Sequence, residues 1–180
     1  AGATVLWMDD PSVISSPNTY IHSKVSVRDS ESVWISSGNW KDSSLPPDGI
    51  GNREWSVIVN SQSFAELVLS RMAWDENQMQ LHISAHSNNH APTFDWVMEE
   101  PSFDGEITPP VYHSGPFDLR LITCPDDCVD GIIEMIDSAD SSIELSVQYL
   151  DLDWYWGFGE NPIIEAIHSA ALRGVKVRLL

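Results

Sequence analysis

Apolar and polar positions change their rhythm twice along the chain, and the changes divide it into three segments. Residues 1–77 alternate short β-rich runs with turn signals. Val5-Leu6-Trp7-Met8 is a short apolar run stopped by Asp9-Asp10-Pro11. Tyr20 to Val27 and Ser32 to Ser36 alternate with period two, and Trp55 to Val59 is a nearly continuous apolar run that predicts a buried strand. Between them Lys41 to Asn52 is rich in Pro, Gly, Ser and Asp, the composition of a surface loop. Ser61 then opens a predicted helix with Phe64, Leu67, Val68 and Met72 on one stripe.

Residues 78–117 lack a clear period and hold five prolines, which predicts an interdomain linker. His82, His86 and His90 recur every fourth position and would line one face of a helix as metal ligands. The polar, turn-prone residues between them favour exposed loop histidines instead.

Residues 118–180 return to strong periodicity. Val129, Ile132, Ile133 and Ile136 mark a helix face, and Ile143, Leu145, Val147 and Tyr149 alternate as a strand. Asn161-Pro162 reads as an N-cap followed by Pro at the first helical position, with Ile163, Ile167, Ala170 and Ala171 turned inward and Gly174 closing the helix. Val175 to Leu180 is a further strand, so this segment predicts a helix-β-α-β unit with a right-handed crossover and a parallel sheet.

Charge narrows the partners. The chain carries 27 acidic and 9 basic residues, a formal −18, and only three of the basic residues are lysine. Non-specific binding to a polyanion needs a basic patch, which the sequence lacks, although a pocket for one phosphate needs no such patch. Low Lys with high Asp also suits solubility at high ionic strength. No stretch is long and apolar enough to span a bilayer. Cys124 and Cys128 are the only cysteines. Their spacing is poor for zinc and leaves two readings open, a small disulfide loop or two free thiols.

The chemistry concentrates in Tyr20-Ile21-His22-Ser23-Lys24-Val25-Ser26-Val27-Arg28-Asp29. On a strand, His22 and Lys24 would share one face while Ile21, Val25 and Val27 face the core. A cation beside an imidazole disfavours the imidazolium and keeps the ring nucleophilic, and an ammonium suits the non-bridging oxygens of a phosphate. Ser37 and Asn39 again share a face and offer hydroxyl and amide donors, and Glu54 could hold the far nitrogen of an imidazole. The polar members would each cost stability if buried without purpose.

At these residues the chain resembles the phospholipase D superfamily, whose hallmark is His-x-Lys-x(4)-Asp. His22, Lys24 and Asp29 fill that spacing. Ser36-Ser37-Gly38-Asn39 is similar to the family's Gly-Ser-x-Asn, with Ser in place of the first Gly, and Asn52-Arg53-Glu54 matches its Asn-x-Glu. The helix and strand over 132–143, together with Ala171-Leu172-Arg173-Gly174-Val175-Lys176-Val177, resemble the opening of a second lobe.

The resemblance implies an α/β fold with a phospholipase D-like mixed sheet flanked by helices. Its lobes would be incomplete, with the C-terminal part of a first lobe in 1–77, the linker in 78–117 and the N-terminal part of a second lobe in 118–180. It implies a phosphodiesterase or phosphatidyltransferase that works through a covalent phosphohistidine without metal or cofactor. His22 would be nucleophile or acid/base. Lys24, Ser37 and Asn39 would bind phosphate oxygens, Glu54 would orient an imidazole, and Asp29 would support the motif. Two such motifs act together in the family, so the 180 residues alone are expected to be inactive, needing a second lobe of the same chain or a homodimer mate. The acidic charge favours a phospholipid substrate over nucleic acid. A nuclease of the same superfamily and an inactive binding or scaffold lobe are the rival readings. The compartment stays open, with extracytoplasmic and membrane-peripheral locations both compatible. Trp154 to Phe158 would rim an acyl chain or fill an interlobe contact, and Asp151 with Asp153 reads as a solvated turn rather than a calcium loop.

Overall fold

The structure, a computed structural model, describes residues 6–8, 21–41, 43–45, 51–78, 83–85, 111–124, 126–152 and 159–180. His82, His86, His90, Asp153 and the aromatic run 154–158 lie outside them, as does Tyr20. The described residues form a mixed α/β chain with small sheets, in two compact units, 1–117 and 118–180.

In the first unit β2 (Lys24–Arg28), β3 (Ser32–Ser36) and β4 (Ser56–Asn60) form an antiparallel sheet in the order β2-β3-β4. The β2–β3 turn places Asp29 at φ 53° and Ser30 at φ 55°, and the Glu31 amide donates to the Arg28 carbonyl at 2.9 Å. Asp tolerates this left-handed region better than most side chains, which is a local reason for an acid at 29. The register sets Lys24 opposite Ser36 and Ser36 opposite Ser56. One face of the sheet is therefore entirely Val and Ile (Val25, Val27, Val33, Ile35, Val57, Val59), while Lys24, Ser26, Arg28, Ser32, Ser36, Ser56 and Asn60 recur on the other.

Ser61 starts α1 (Gln62–Gln78), its hydroxyl accepting from the Phe64 amide at 3.3 Å. The helix packs on β2 and β3, and Val33, Phe64, Ala65 and Val68 are buried. The expected stripe is corrected here, because Leu67 and Met72 are exposed and Ala65 takes the inward position. The expectation of a buried strand at Trp55–Val59 is also overturned. Among the described residues β4 is the edge strand of the sheet, and Trp55, Val57 and Ile58 are exposed. Ile21 is exposed as well, since β2 begins only at Lys24 and residues 21–23 precede the alternation. Within the stretch read as a linker, β5 (Ile83–Ala85) pairs antiparallel with β1 (Leu6–Met8), so this part belongs to the first unit.

The second unit runs α2 (Cys128–Asp137), β6 (Ser142–Leu145), α3 (Pro162–Leu172) and β7 (Lys176–Leu179), with β6 and β7 parallel. Its core is one cluster of Ile136, Ile143, Ala166, Ile167, Ala170 and Val175. Asn161 caps α3, its side-chain oxygen accepting from the Ile163 amide at 3.0 Å while its side-chain nitrogen donates to the Asp151 carbonyl at 2.9 Å. Gly174 leaves the helix at φ 94°, which a side chain would resist. Ala171 is exposed, and Ala166, five residues earlier, is buried with Ile167 and Ala170. β6 ends at Leu145, although the Val147 amide still donates to the Leu180 carbonyl at 3.2 Å; Tyr149 is exposed. Cys124 and Cys128 are joined as a disulfide, which decides between the two readings of that pair. Among the described residues no helix is long and apolar enough to cross a membrane.

Candidate active site

The residues singled out by the motif gather at one end of the β2-β3-β4 sheet. His22 lies just before β2, exposed, and not on the strand as expected. Its ring is nevertheless held beside Lys24, whose Nζ is 3.0 Å from Nδ1 and 3.1 Å from Nε2 and also donates to the His22 backbone carbonyl. The in-plane directions of the two ring nitrogens diverge, and only one of them carries a lone pair in the neutral ring, so an ammonium nearly equidistant from both lies beside the ring and along neither direction. This leaves the ring nitrogens open to an electrophile while a cation stands next to them.

One residue beyond the sheet on β3, Ser37 bridges to the chain entering β4. Its amide donates to the Trp55 carbonyl at 3.0 Å, and its hydroxyl accepts from the Trp55 amide at 3.0 Å. The same hydroxyl donates to Glu54 Oε2 at 2.6 Å. A carboxylate with such a donor is held in its charged form. Glu54 sits below its ordinary value of 4.5, chiefly through the Ser37 hydrogen bond, with Ser44, Asn52 and the Lys24 charge acting in the same sense against a smaller desolvation. Behind it, Ser56 donates to the Ser36 hydroxyl at 2.8 Å, and the Gly38 amide donates to the same Ser36 oxygen at 3.0 Å.

This geometry distinguishes the expected site residues. His22 and Lys24 are in contact, and Glu54 with Ser37 forms a second pair that feels the Lys24 charge. Glu54 makes no hydrogen bond or ion pair to His22. The single Ser37 proton is committed to Glu54, so a phosphate would have to draw it away. Asn39 is exposed, and its amide makes no hydrogen bond to a described residue, which leaves it available as a donor. Asp29 is not brought to the site. It lies at the opposite end of β2, roughly 16 Å along the strand from Lys24 at the usual rise per residue, exposed and 3.8 Å from Arg28.

Sequence reasoning passed over three contributors. Gly38 is buried against the Glu54 side chain, Ser44 is buried within the loop 41–52 that was read only as surface, and Asn52 was used only to recognise the Asn-x-Glu element. For Asn52 that element was the available signal; for Ser44 its polar, Pro-rich neighbours concealed it. Nearby, Trp34 and Trp40 meet edge to face, centroids 5.5 Å apart, on the same side of the sheet as Lys24. Among the described residues no group of three or more His, Cys, Asp or Glu could hold a metal ion.

No protein-family model matches the chain, and neither a curated protein nor a solved structure matches it significantly.

Proposed function

We propose that the chain is part of a phospholipase D-like phosphodiesterase or phosphatidyltransferase, with His22 as the nucleophile, Lys24 and Asn39 on the phosphate oxygens and a phospholipid headgroup as the substrate. The finer fold, a phospholipase D-like mixed sheet shared between two partial lobes, belongs to the same proposal. The observation that carries it is the Lys24 ammonium 3.0 Å from the His22 ring at the end of an antiparallel sheet, beside a carboxylate kept charged.

In the proposed reaction a ring nitrogen of His22 gives its lone pair to phosphorus as the bond to the leaving oxygen breaks. The nitrogen that does not attack then loses its proton to solvent, leaving a neutral phosphohistidine ring. An alkoxide is a poor leaving group and must take a proton from an acid; water or an alcohol must later lose one to a base. The family supplies both from a second imidazole, and the 180 residues hold one His-x-Lys-x(4)-Asp.

That requirement suggests a direct test. Bis(4-nitrophenyl) phosphate releases an anion that needs no acid, so the first half of the reaction can run on one histidine. The chain should release close to one 4-nitrophenolate per molecule in a burst and then stall. His22→Asn should abolish the burst. Steady turnover that persists in His22→Asn, or no burst at any substrate concentration, would contradict the proposal.

A further inference from the structure

Glu54 lies close across the backbone of residue 38 on its way to Ser37, where a side chain would crowd it. Backbone pairing of Ser37 with Trp55 places Gly38 alongside Glu54, and a Cβ at 38 would stand 3.0 Å from Glu54 Cγ and 3.2 Å from its Cδ. Contacts that short force one of the two groups to move. Gly38 itself has no positive φ to explain the glycine, so close approach is its reason.

We propose that Gly38 is a positioning residue: by leaving room for Glu54 to lie across its backbone on to Ser37, it holds that carboxylate at the sheet end, paired with Ser37 and not with His22. Three observations support this. The carboxylate oxygen is 2.6 Å from the Ser37 hydroxyl. Of the influences that lower its pKa, the Ser37 hydrogen bond is the largest and the Lys24 charge the smallest. Lys24 in turn contacts the His22 ring and carbonyl. The purpose of this alignment rests on the phosphodiesterase reading, whereas the alignment itself does not.

The test is a carbon-13 NMR titration of the Glu54 carboxyl in the intact chain, which requires no turnover. Gly38→Ala and Ser37→Ala should each move the Glu54 midpoint up towards 4.5. The double variant should move it no further than the larger single effect, because both act on one contact. Lys24→Met should raise it by a smaller amount, and His22→Asn should leave it in place. Ser37→Ala removes the hydrogen bond without crowding the backbone, so it decides the matter if Gly38→Ala does not fold. A midpoint unmoved by Ser37→Ala, or moved by His22→Asn as much as by Lys24→Met, would overturn the proposal. If the titration behaves as expected and the nitrophenolate burst is absent, the phosphodiesterase reading fails and the positioning role stands.

Discussion

The two units use similar residues for opposite purposes. In 118–180 the branched side chains converge: Ile136, Ile143, Ile167 and Val175 meet alanines of α3 in one sealed cluster. Among the described residues of 1–117, Val33, Phe64, Ala65 and Val68 are buried about the three-stranded sheet, while Trp55, Val57 and Ile58 at its β4 side are exposed. Its polar residues are the organised ones, tied by hydroxyl-to-carboxylate and hydroxyl-to-hydroxyl bonds at the sheet end. The contrast teaches that burial and chemistry are separable here. Among the described residues, the larger buried cluster holds none of the motif residues, and the candidate site stands on the other unit.

The largest test of that contrast is Ile136→Ala. Ile136 is 1% exposed at the centre of the second unit's cluster, and its truncation should cost about 2–4 kcal/mol. Hydrogen exchange should show protection lost in α2, β6, α3 and β7 while β2, β3 and β4 keep theirs. Equal loss in both units would show that they do not fold separately.

Gly131→Ala should be the next largest. A Cβ there would stand 2.8 Å from Ile122 Cγ2, and the crowding should outweigh the gain of about 1 kcal/mol that alanine brings to a helix interior. A lower melting temperature is expected, and relief in Gly131→Ala combined with Ile122→Val would identify the Ile122 contact as the cause. Asn161→Ala follows at about 1 kcal/mol, since it removes the α3 cap together with the hydrogen bond to the Asp151 carbonyl. Denaturant midpoints would rank the three variants.

Much of the second unit was legible in advance because its signals are local. Asn161-Pro162, Gly174 and the spacing of Ile132 and Ile136 act within a turn or two of the chain. The first unit was harder for physical reasons. An apolar run such as Trp55 to Val59 looks the same whether a helix covers it or not, and only topology placed it at an edge. The His22–Lys24 pairing was legible as a juxtaposition, although it arises from a lysine reaching back past the start of β2 and not from a shared strand face. The Glu54–Ser37 bond spans 17 residues and passes close to the backbone of Gly38, which no local pattern announces. Asp29 fits the motif's spacing, yet its position at a left-handed turn far from Lys24 gives it a local, conformational reason.

Acid offers the subtlest comparison, because two carboxyls respond with opposite signs. Glu54 is held low by Ser37, so its contribution to stability is present above 4.5 and is lost as pH falls through the lower folded value. Glu165 is raised, first by its hydrogen bond with Glu160 and further by desolvation and that neighbour's charge. The folded second unit therefore binds more protons than the unfolded chain just above 4.5, and gains stability as pH falls through that window. Ser37→Ala should flatten the first dependence and Glu160→Gln the second, read from stability curves followed by probes in each unit.

The most direct measurement of the central claim is the site of covalent modification after the chain meets bis(4-nitrophenyl) phosphate. Peptide mapping under alkaline conditions, where a phosphoramidate survives, should find one 4-nitrophenyl phosphoryl group on His22, absent in His22→Asn and reduced in Lys24→Met. An unmodified His22, or the group on another residue while His22 stays free, would contradict the account.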